Sequence, residues 1–267
     1  MTESFPPWYD IEMNKRAIIL LIVIVSALLA YVLPFILSHQ DMSVGGITIE
    51  THNFASNHSG KKNADTYSVT LDYPVITSGF SDDVLGKINA SVEAWSRVYF
   101  LKSKDELVSA TSDSNISSSL YNKTTATTSV DTTKLPILNI IFTSDIYTGG
   151  AHDISPINTL VFDTRSGKQL TLDTLFVSDY LSTLSTLARL ELGRMDPSYE
   201  TLDREWVKQG TEPDEKNFRS YTLMPDGLHI IFDEYQVASY VAGHVEIVIP
   251  YSKLSGMLSP DYKNILK

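Results

Sequence analysis

From Ala17 to Leu37 the chain reads AIILLIVIVSALLAYVLPFIL with no charged side chain, matching the ~20 apolar residues a helix needs to cross the hydrocarbon core. The pattern predicts a transmembrane helix over 17–37. Pro34 falls in its last turn, where the missing N–H removes one helical bond near the interface, and Tyr31 suits headgroup depth. Lys15 and Arg16 abut the first apolar residue, and the far side offers no Lys or Arg until Lys61. That cationic bias places the tail 1–16 in the cytoplasm and the C-terminal bulk outside. A cleaved signal peptide is the competing reading, but the apolar run exceeds the roughly 7–15 residues of such a segment and no clear small-x-small site follows it. A buried core helix is a weaker rival, since few soluble helices are apolar on every face. An uncleaved single-pass signal anchor is expected, with the lipid membrane as its partner.

Residues 38–64 carry His, Asn, Ser and Gly with few apolar positions, and read as a flexible stalk that buries too little surface to fold alone. At Tyr67 the period becomes two: Tyr67, Val69, Leu71 and Tyr73 share one face, Ser68, Thr70 and Asp72 the other, which predicts a half-buried strand up to Pro74. Val84, Ile88, Val92, Trp95 and Tyr99 recur at three or four residues, with Ser81 placed to cap and Asp82 and Asp83 at the positive end, so an amphipathic helix follows. The Ser/Thr-rich stretch from about Ser109 to Thr133 is of low complexity, yet keeps some alternation.

Pro136 to Thr143 contains the run ILNIIF, of strand length and β-branched content, which predicts a central strand covered on both faces. Asn158–Asp163 is a second strand ending in a turn at Arg165-Ser166-Gly167-Lys168. Leu181, Leu184, Leu187 and Ala188 mark a helix that Ser178 is placed to cap, and a further helical piece from Tyr199 to Lys208 stops at Gly210. Met224-Pro225-Asp226-Gly227 between apolar runs predicts a hairpin. Val245, Ile247 and Ile249 form a last alternating strand, and Ser252–Leu258 a short closing helix. Strands and helices mix without a regular βαβ rhythm, which predicts an α+β ectodomain over 65–267, divided into halves 65–145 and 146–267.

The formal charge of -11 and the pI near 4.9 exclude nucleic acid as an expected partner, because phosphate neutralisation needs clustered Lys and Arg. Zero cysteines exclude a disulfide framework, a Cys-ligated zinc and a thiol nucleophile. Four Asn-x-Ser/Thr sequons begin at Asn57, Asn89, Asn115 and Asn122, a short pattern common by chance in such a chain.

Tyr147-Thr148-Gly149-Gly150-Ala151-His152, then Phe162-Asp163-Thr164-Arg165-Ser166-Gly167-Lys168 and Leu170-Thr171-Leu172-Asp173-Thr174-Leu175-Phe176, together resemble a paired bacterial domain of unknown function. That pair forms the outer part of RsiV-type anti-sigma-V factors and precedes the catalytic domain of PdaC-type peptidoglycan deacetylases. The closing stretches Phe232-Asp233-Glu234-Tyr235-Gln236-Val237-Ala238, Tyr240-Val241-Ala242-Gly243 and Val248-Ile249-Pro250-Tyr251-Ser252 are similar as well, so the likeness spans roughly 65 to 258. In the anti-sigma members the resemblance implies lysozyme binding outside and a sigma-factor-holding domain inside, for which a tail of residues 1–16 is too short. In the deacetylases it implies a separate metal-dependent catalytic domain, absent from these 267 residues. Neither complete function is expected here.

The paired glycines Gly149 and Gly150 permit positive φ and close backbone approach, presenting His152 and Asp153 at a strand end beside Tyr147. A tight turn with steric glycines is the plainer alternative. Glu234 and Tyr235 lie in the closing motif, where Tyr also suits an architectural role. Tyr147, Gly149, Gly150, His152, Asp153, Glu234 and Tyr235 are the candidate ligand-binding residues. His229 with Asp233, and His244 with Glu246, share strand faces, but no close spacing such as H-E-x-x-H supports zinc, and no metal or other cofactor is expected. There is no G-x-S-x-G, and Ser59-Gly60-Lys61-Lys62 matches S-x-x-K only inside the expected stalk. The expected function is a non-enzymatic, membrane-anchored binding or sensing module of the bacterial cell envelope, with peptidoglycan or a basic protein such as lysozyme as partner. A structural envelope subunit is the alternative, followed by a wall hydrolase or esterase using His152, Asp153 or Glu234.

Overall fold

The computed structural model describes residues 42–44, 46–60, 66–111, 119–131, 136–177, 179–195 and 204–267. The tail 1–16 and the transmembrane helix expected over 17–37 lie outside them, and among the described residues no helix is long and apolar enough to cross a membrane. Residues Met42–Lys267 make one compact unit of α+β architecture.

Seven strands form the larger sheet in chain order: β1 (Met42–Val44), β2 (Ile47–His58), β3 (Tyr67–Ser78), β4 (Leu120–Asp131), β5 (Ile137–Tyr147), β6 (Ile157–Asp163) and β7 (Lys168–Leu170). Every neighbouring pair is antiparallel except β3 and β4. Parallel neighbours need a crossover of a dozen or more residues, and the helix α1 (Asp82–Ala110) supplies it. The expected strand at Tyr67 continues through Pro74 to Ser78, with Val69, Leu71 and Tyr73 buried. The predicted face of α1 packs on the sheet: Val84, Ile88 and Val92 join Leu71, Ile76, Leu138, Ile140, Phe142, Leu160 and Phe162 in one cluster. Ser81 is its N-cap residue, but the hydroxyl makes no capping bond.

One domain expectation is corrected. The described part of the presumed stalk is β1 and β2, because β2 pairs with β3 from Thr48 to His58. A segment that cannot bury enough side chain to fold alone is ordered here by a backbone ladder. The division at 145/146 falls inside β5, and the two halves share that strand.

β5 is covered on both faces as its apolar run predicts. Leu138, Ile140 and Phe142 face α1, whereas Ile137 and, from β6, Val161 belong to a second core on the opposite face. That core holds a three-stranded antiparallel sheet, β8 (Tyr221–Met224), β9 (Gly227–Phe232) and β10 (Val245–Ile249), in the order β10-β9-β8. Around it pack α2 (Leu172–Leu175), α3 (Tyr180–Leu192) and α5 (Tyr251–Leu254), while α4 (Arg204–Gly210) lies beside α3. The expected start of α4 at Tyr199 and the Ser178 cap fall outside the described residues. The residue preceding α3 is Asp179, in the left-handed region at φ 64.

The β8–β9 hairpin closes at Met224 and Gly227 around Pro225-Asp226. Gly227 is needed for space rather than for φ: a Cβ there would sit 2.5 Å from the Ile249 carbonyl oxygen. Gly210, expected as a helix stop, is likewise a close-approach glycine, since its Cβ would meet the Gln236 carbonyl oxygen at 2.0 Å.

One buried carboxamide joins the two sheets. Asn139 of β5 donates from Nδ2 to the Leu223 carbonyl and accepts from the Leu223 N–H on Oδ1, both at 3.0 Å. Asn139→Ala leaves both backbone groups of Leu223 buried and unpaired, at roughly 1–3 kcal/mol for each, and denaturant unfolding is expected to show a loss of about 2–6 kcal/mol.

At the end of β6 the carboxylate of Asp163, 3% exposed, accepts from the N–H and Nε of Arg165 at 2.9 Å each. Desolvation pushes its pKa up, but these bonds and the Arg165 charge outweigh it and hold the group below its ordinary 3.8. A lowered folded-state pKa gives stability that is complete above 3.8 and is lost as pH falls through the folded value. The stability gap between the native chain and Asp163→Asn is expected to be constant near neutrality and to shrink in acid titration below 3.8.

Candidate functional site

The β5–β6 connection and the β9–β10 connection meet at one end of the two sheets. β5 ends at Tyr147, and an isolated bridge between Ile146 and Ile154 closes the loop carrying Gly149, Gly150, His152 and Asp153. Gly149 has φ 99, which an L side chain rarely adopts; Gly150 is not in that region. The tight turn and the presentation of His152 are therefore one structure.

The second loop is held by polar anchors. The Ser155 N–H donates to Glu234 at 3.1 Å and the Ile157 N–H to Asp233 at 2.9 Å, and Asp233 also pairs with Arg219. Gln236 accepts from the Asp233 N–H at 3.1 Å and donates to the carbonyls of Gly210 and Asn217 at 3.0 and 2.9 Å. Between these anchors Tyr235 takes φ 65, the left-handed region, at a cost of about 1–2 kcal/mol for a residue with a Cβ. The residue is 48% exposed. This strained backbone sets a half-exposed side chain against the rings of Tyr240 and Trp206.

His152 bridges the loops. Its Nδ1 is 2.7 Å from the Asp153 carbonyl oxygen, which only accepts, so Nδ1 carries the proton and Nε2 accepts from the Tyr235 hydroxyl at 3.0 Å in the neutral ring. The imidazole stacks on Tyr240 at 3.9 Å between centroids, Tyr235 and Tyr240 lie 5.8 Å apart and nearly parallel, and Trp206 meets Tyr235 edge-on at 6.2 Å. On the other flank Tyr121 of β4 stacks with Tyr147 at 5.7 Å and donates to Asp153 at 3.2 Å. Desolvation, then the hydrogen bond and charge of Asp153, raise the Tyr121 phenol. Desolvation, then Glu234 and Asp153, raise that of Tyr240. Both remain protonated donors near neutral pH. Val241, beside this group, is 88% exposed.

All seven predicted residues thus fall at this end of the fold. Tyr121, Trp206 and Tyr240 were not singled out for it. Tyr240 stood inside the closing motif, whereas Tyr121 sits in the low-complexity stretch. The two histidine–carboxylate pairs do not form a metal site. Asp233 turns to Ile157 and Arg219, His244 bonds the Ser155 carbonyl, and His229 lies between Asp226 at 2.8 Å and Glu246 at 2.5 Å. Among the described residues no group of three or more His, Cys, Asp and Glu is arranged to hold a metal ion. A cleft of about 420 Å³ beside Phe218, Tyr180 and Tyr221 contains none of the predicted site residues.

Residues 173–252 match the family described as a protein of unknown function, DUF3298. The peptidoglycan-N-acetylmuramic acid deacetylase PdaC of Bacillus subtilis is 33% identical over 125 residues, which are 46% of this chain and 26% of the deacetylase. A crystal structure of a DUF3298 family member from Bacteroides fragilis superposes with TM-score 0.56 at 18% identity, over 85% of this chain and 99% of that one. A DUF3298 family protein from Pseudomonas aeruginosa gives 0.51 at 18%, over 80% and 95%. At these identities the two solved structures support the fold alone.

Replacing Tyr235 separates strain from ring contacts. Tyr235→Ala and Tyr235→Gly both lose the ring, but only glycine occupies φ 65 freely, so Tyr235→Gly is expected to be more stable than Tyr235→Ala by about 1 kcal/mol in denaturant melts.

Proposed function

With a DUF3298 domain at residues 173–252 as premise, we propose that this chain is a non-catalytic binding module of the cell envelope whose ligand is a wall saccharide. The rings of Tyr235, Tyr240 and His152 are the contact surface, and the apolar run 17–37 tethers the module to the membrane. The observation that carries this reading is Tyr235, strained at φ 65 and left exposed within a stacked group. Flat aromatic faces take the apolar faces of sugar rings, while Asp153, Glu234 and the phenols offer hydrogen bonds to hydroxyls and acetamido groups. Relatedness to a protein named for acting on peptidoglycan supports the same substrate class.

A basic protein is the second reading, favoured by the carboxylates of Asp153 and Glu234 beside the rings and by the chain's net charge of -11. Acidic surfaces speed encounter with cationic partners, and salt weakens the effect. A hydrolytic role is the weakest. The imidazole of His152 is oriented by a carbonyl, not a carboxylate, and its other nitrogen meets a phenol.

The test is retention of the full-length chain on insoluble peptidoglycan and on immobilised lysozyme at low and high salt. Peptidoglycan retention that resists salt and falls about tenfold in Tyr240→Ala, the roughly 1.4 kcal/mol of one good ring contact, is expected. Absence of peptidoglycan retention sinks the saccharide reading, and salt-sensitive retention on lysozyme alone replaces it with the second.

A further inference from the structure

We propose that the outer edge of β2 is a homodimer interface, at which β2 adds antiparallel to β2 of a second copy about a twofold axis through Phe54. β1 covers only Ile47–Ile49 on that side, while β2 continues to His58 and is paired along its inner side with β3. Among the described residues nothing pairs with the outer side from Glu50 to His58. Thr51, His52, Asn53, Ala55, Asn57 and His58 are all exposed.

Folds protect sheet edges by keeping them short, by placing Lys or Pro on them, or by bulging them away. β7, β8 and β10 are three, four and five residues long. The open part of β2, ETHNFASNH, contains no Lys, Arg or Pro, and its one irregularity lies before it, between Thr48 and Ile49. This edge is both the longest of these and the least guarded.

Pro74 settles which backbone groups turn outward. It lies opposite Thr51 and has no N–H, so it fits a pair that exchanges no ladder bonds. By alternation the N–H and C=O groups of Thr51, Asn53, Ala55 and Asn57 point away from β3. A twofold axis at Phe54 sets Asn53 opposite Ala55 and Thr51 opposite Asn57 of the other copy, and each of these four pairs exchanges two bonds, about eight in all.

Side chains select the same register. It places Glu50 opposite His58 twice, His52 opposite Ser56, and the Phe54 rings against each other; each Phe54 already stacks on Tyr73 at 5.1 Å beneath the Arg97 guanidinium at 5.0 Å. Glu50 also faces His52 on its own strand at 3.7 Å. Moving the axis to Ala55 would set His52 against His58, and moving it to Asn53 would leave Glu50 opposite Ser56, losing the pairing of a carboxylate with an imidazole. The sequence is self-complementary at one register, which identifies a second copy of this chain as the occupant. This inference does not depend on the saccharide reading.

The chain has no cysteine, so engineered thiols report without background. His52 and Ser56 form a close pair across the proposed axis, about 4.5 Å between Cα atoms, whereas identical positions lie about 13 Å apart, beyond the ~7 Å a disulfide spans. Full-length His52→Cys and Ser56→Cys proteins, mixed at tens of micromolar and oxidised, are expected to give a disulfide dimer of unlike chains. Either protein alone gives at least tenfold less. Absence of the mixed dimer overturns the proposal, and so does equal cross-linking of one species alone. Ala55→Pro removes an outward N–H, and sedimentation should show the native dimer becoming monomer with an unchanged circular dichroism spectrum; a persistent dimer places the interface elsewhere and overturns the proposal. If Ala55→Pro does not fold, the thiol pair decides.

Discussion

The rest of the structure depends on a wall of two strands, β5 and β6, that is apolar on both sides. Leu138, Ile140, Phe142 and Phe162 bury toward α1, and Ile137 and Val161 bury toward the smaller sheet. Full burial of each such side chain is worth about 1.5–3 kcal/mol, but apolar contact does not specify how one sheet is set along another. The polar seam does. Asn139 grips both backbone groups of Leu223, Thr159 accepts from the Tyr221 N–H at 3.0 Å, and Ser220 donates to the Ile157 carbonyl at 2.6 Å. Each bond is satisfied in only one relative placement of the sheets, and a buried group left unpaired is costly, so the seam converts general cohesion into one geometry.

That placement creates the candidate site. Its rings come from β4, from the end of β5 and the loop after it, from α4 and from the β9–β10 loop, segments up to 119 positions apart when counted from Tyr121 to Tyr240. Ile157 shows the coupling directly, since its carbonyl accepts from Ser220 in the seam while its N–H donates to Asp233, two residues before Tyr235. Seam and site loop share a residue. The rigid support is what holds Tyr235 at φ 65 with its side chain half-exposed.

How legible a segment was in the sequence follows from the physics that orders it. β3, α1, β5 and β10 each carry an apolar face at the period of their own geometry, and each lies where the pattern predicts. β4 hid because its buried positions are polar: Asn122 and Thr124 alternate with exposed Tyr121, Lys123 and Thr125, and are satisfied by Ser144 and by each other. β2 hid because hydrogen bonds to β3, which leave no mark on hydropathy, hold a strand whose side chains mostly face water. Among the site residues, the glycine pair and its histidine were visible as turn chemistry, and Glu234 and Tyr235 through the family motif. Tyr121 and Trp206 were not, since neither spacing nor composition distinguishes a surface ring from any other.

The sequence by itself determined the α+β class, the faces of the main strands and of α1, and the turn that presents His152, because periodicity and backbone sterics act over a few residues. It also contains the apolar run at 17–37. Only the tertiary structure decided that residues 47–58 are a strand rather than a stalk, that the two histidine–carboxylate pairs part company, and that six rings converge at one end. Those outcomes rest on pairing and contact between distant segments, where the free energy lies in the meeting of two surfaces and is written in neither one alone.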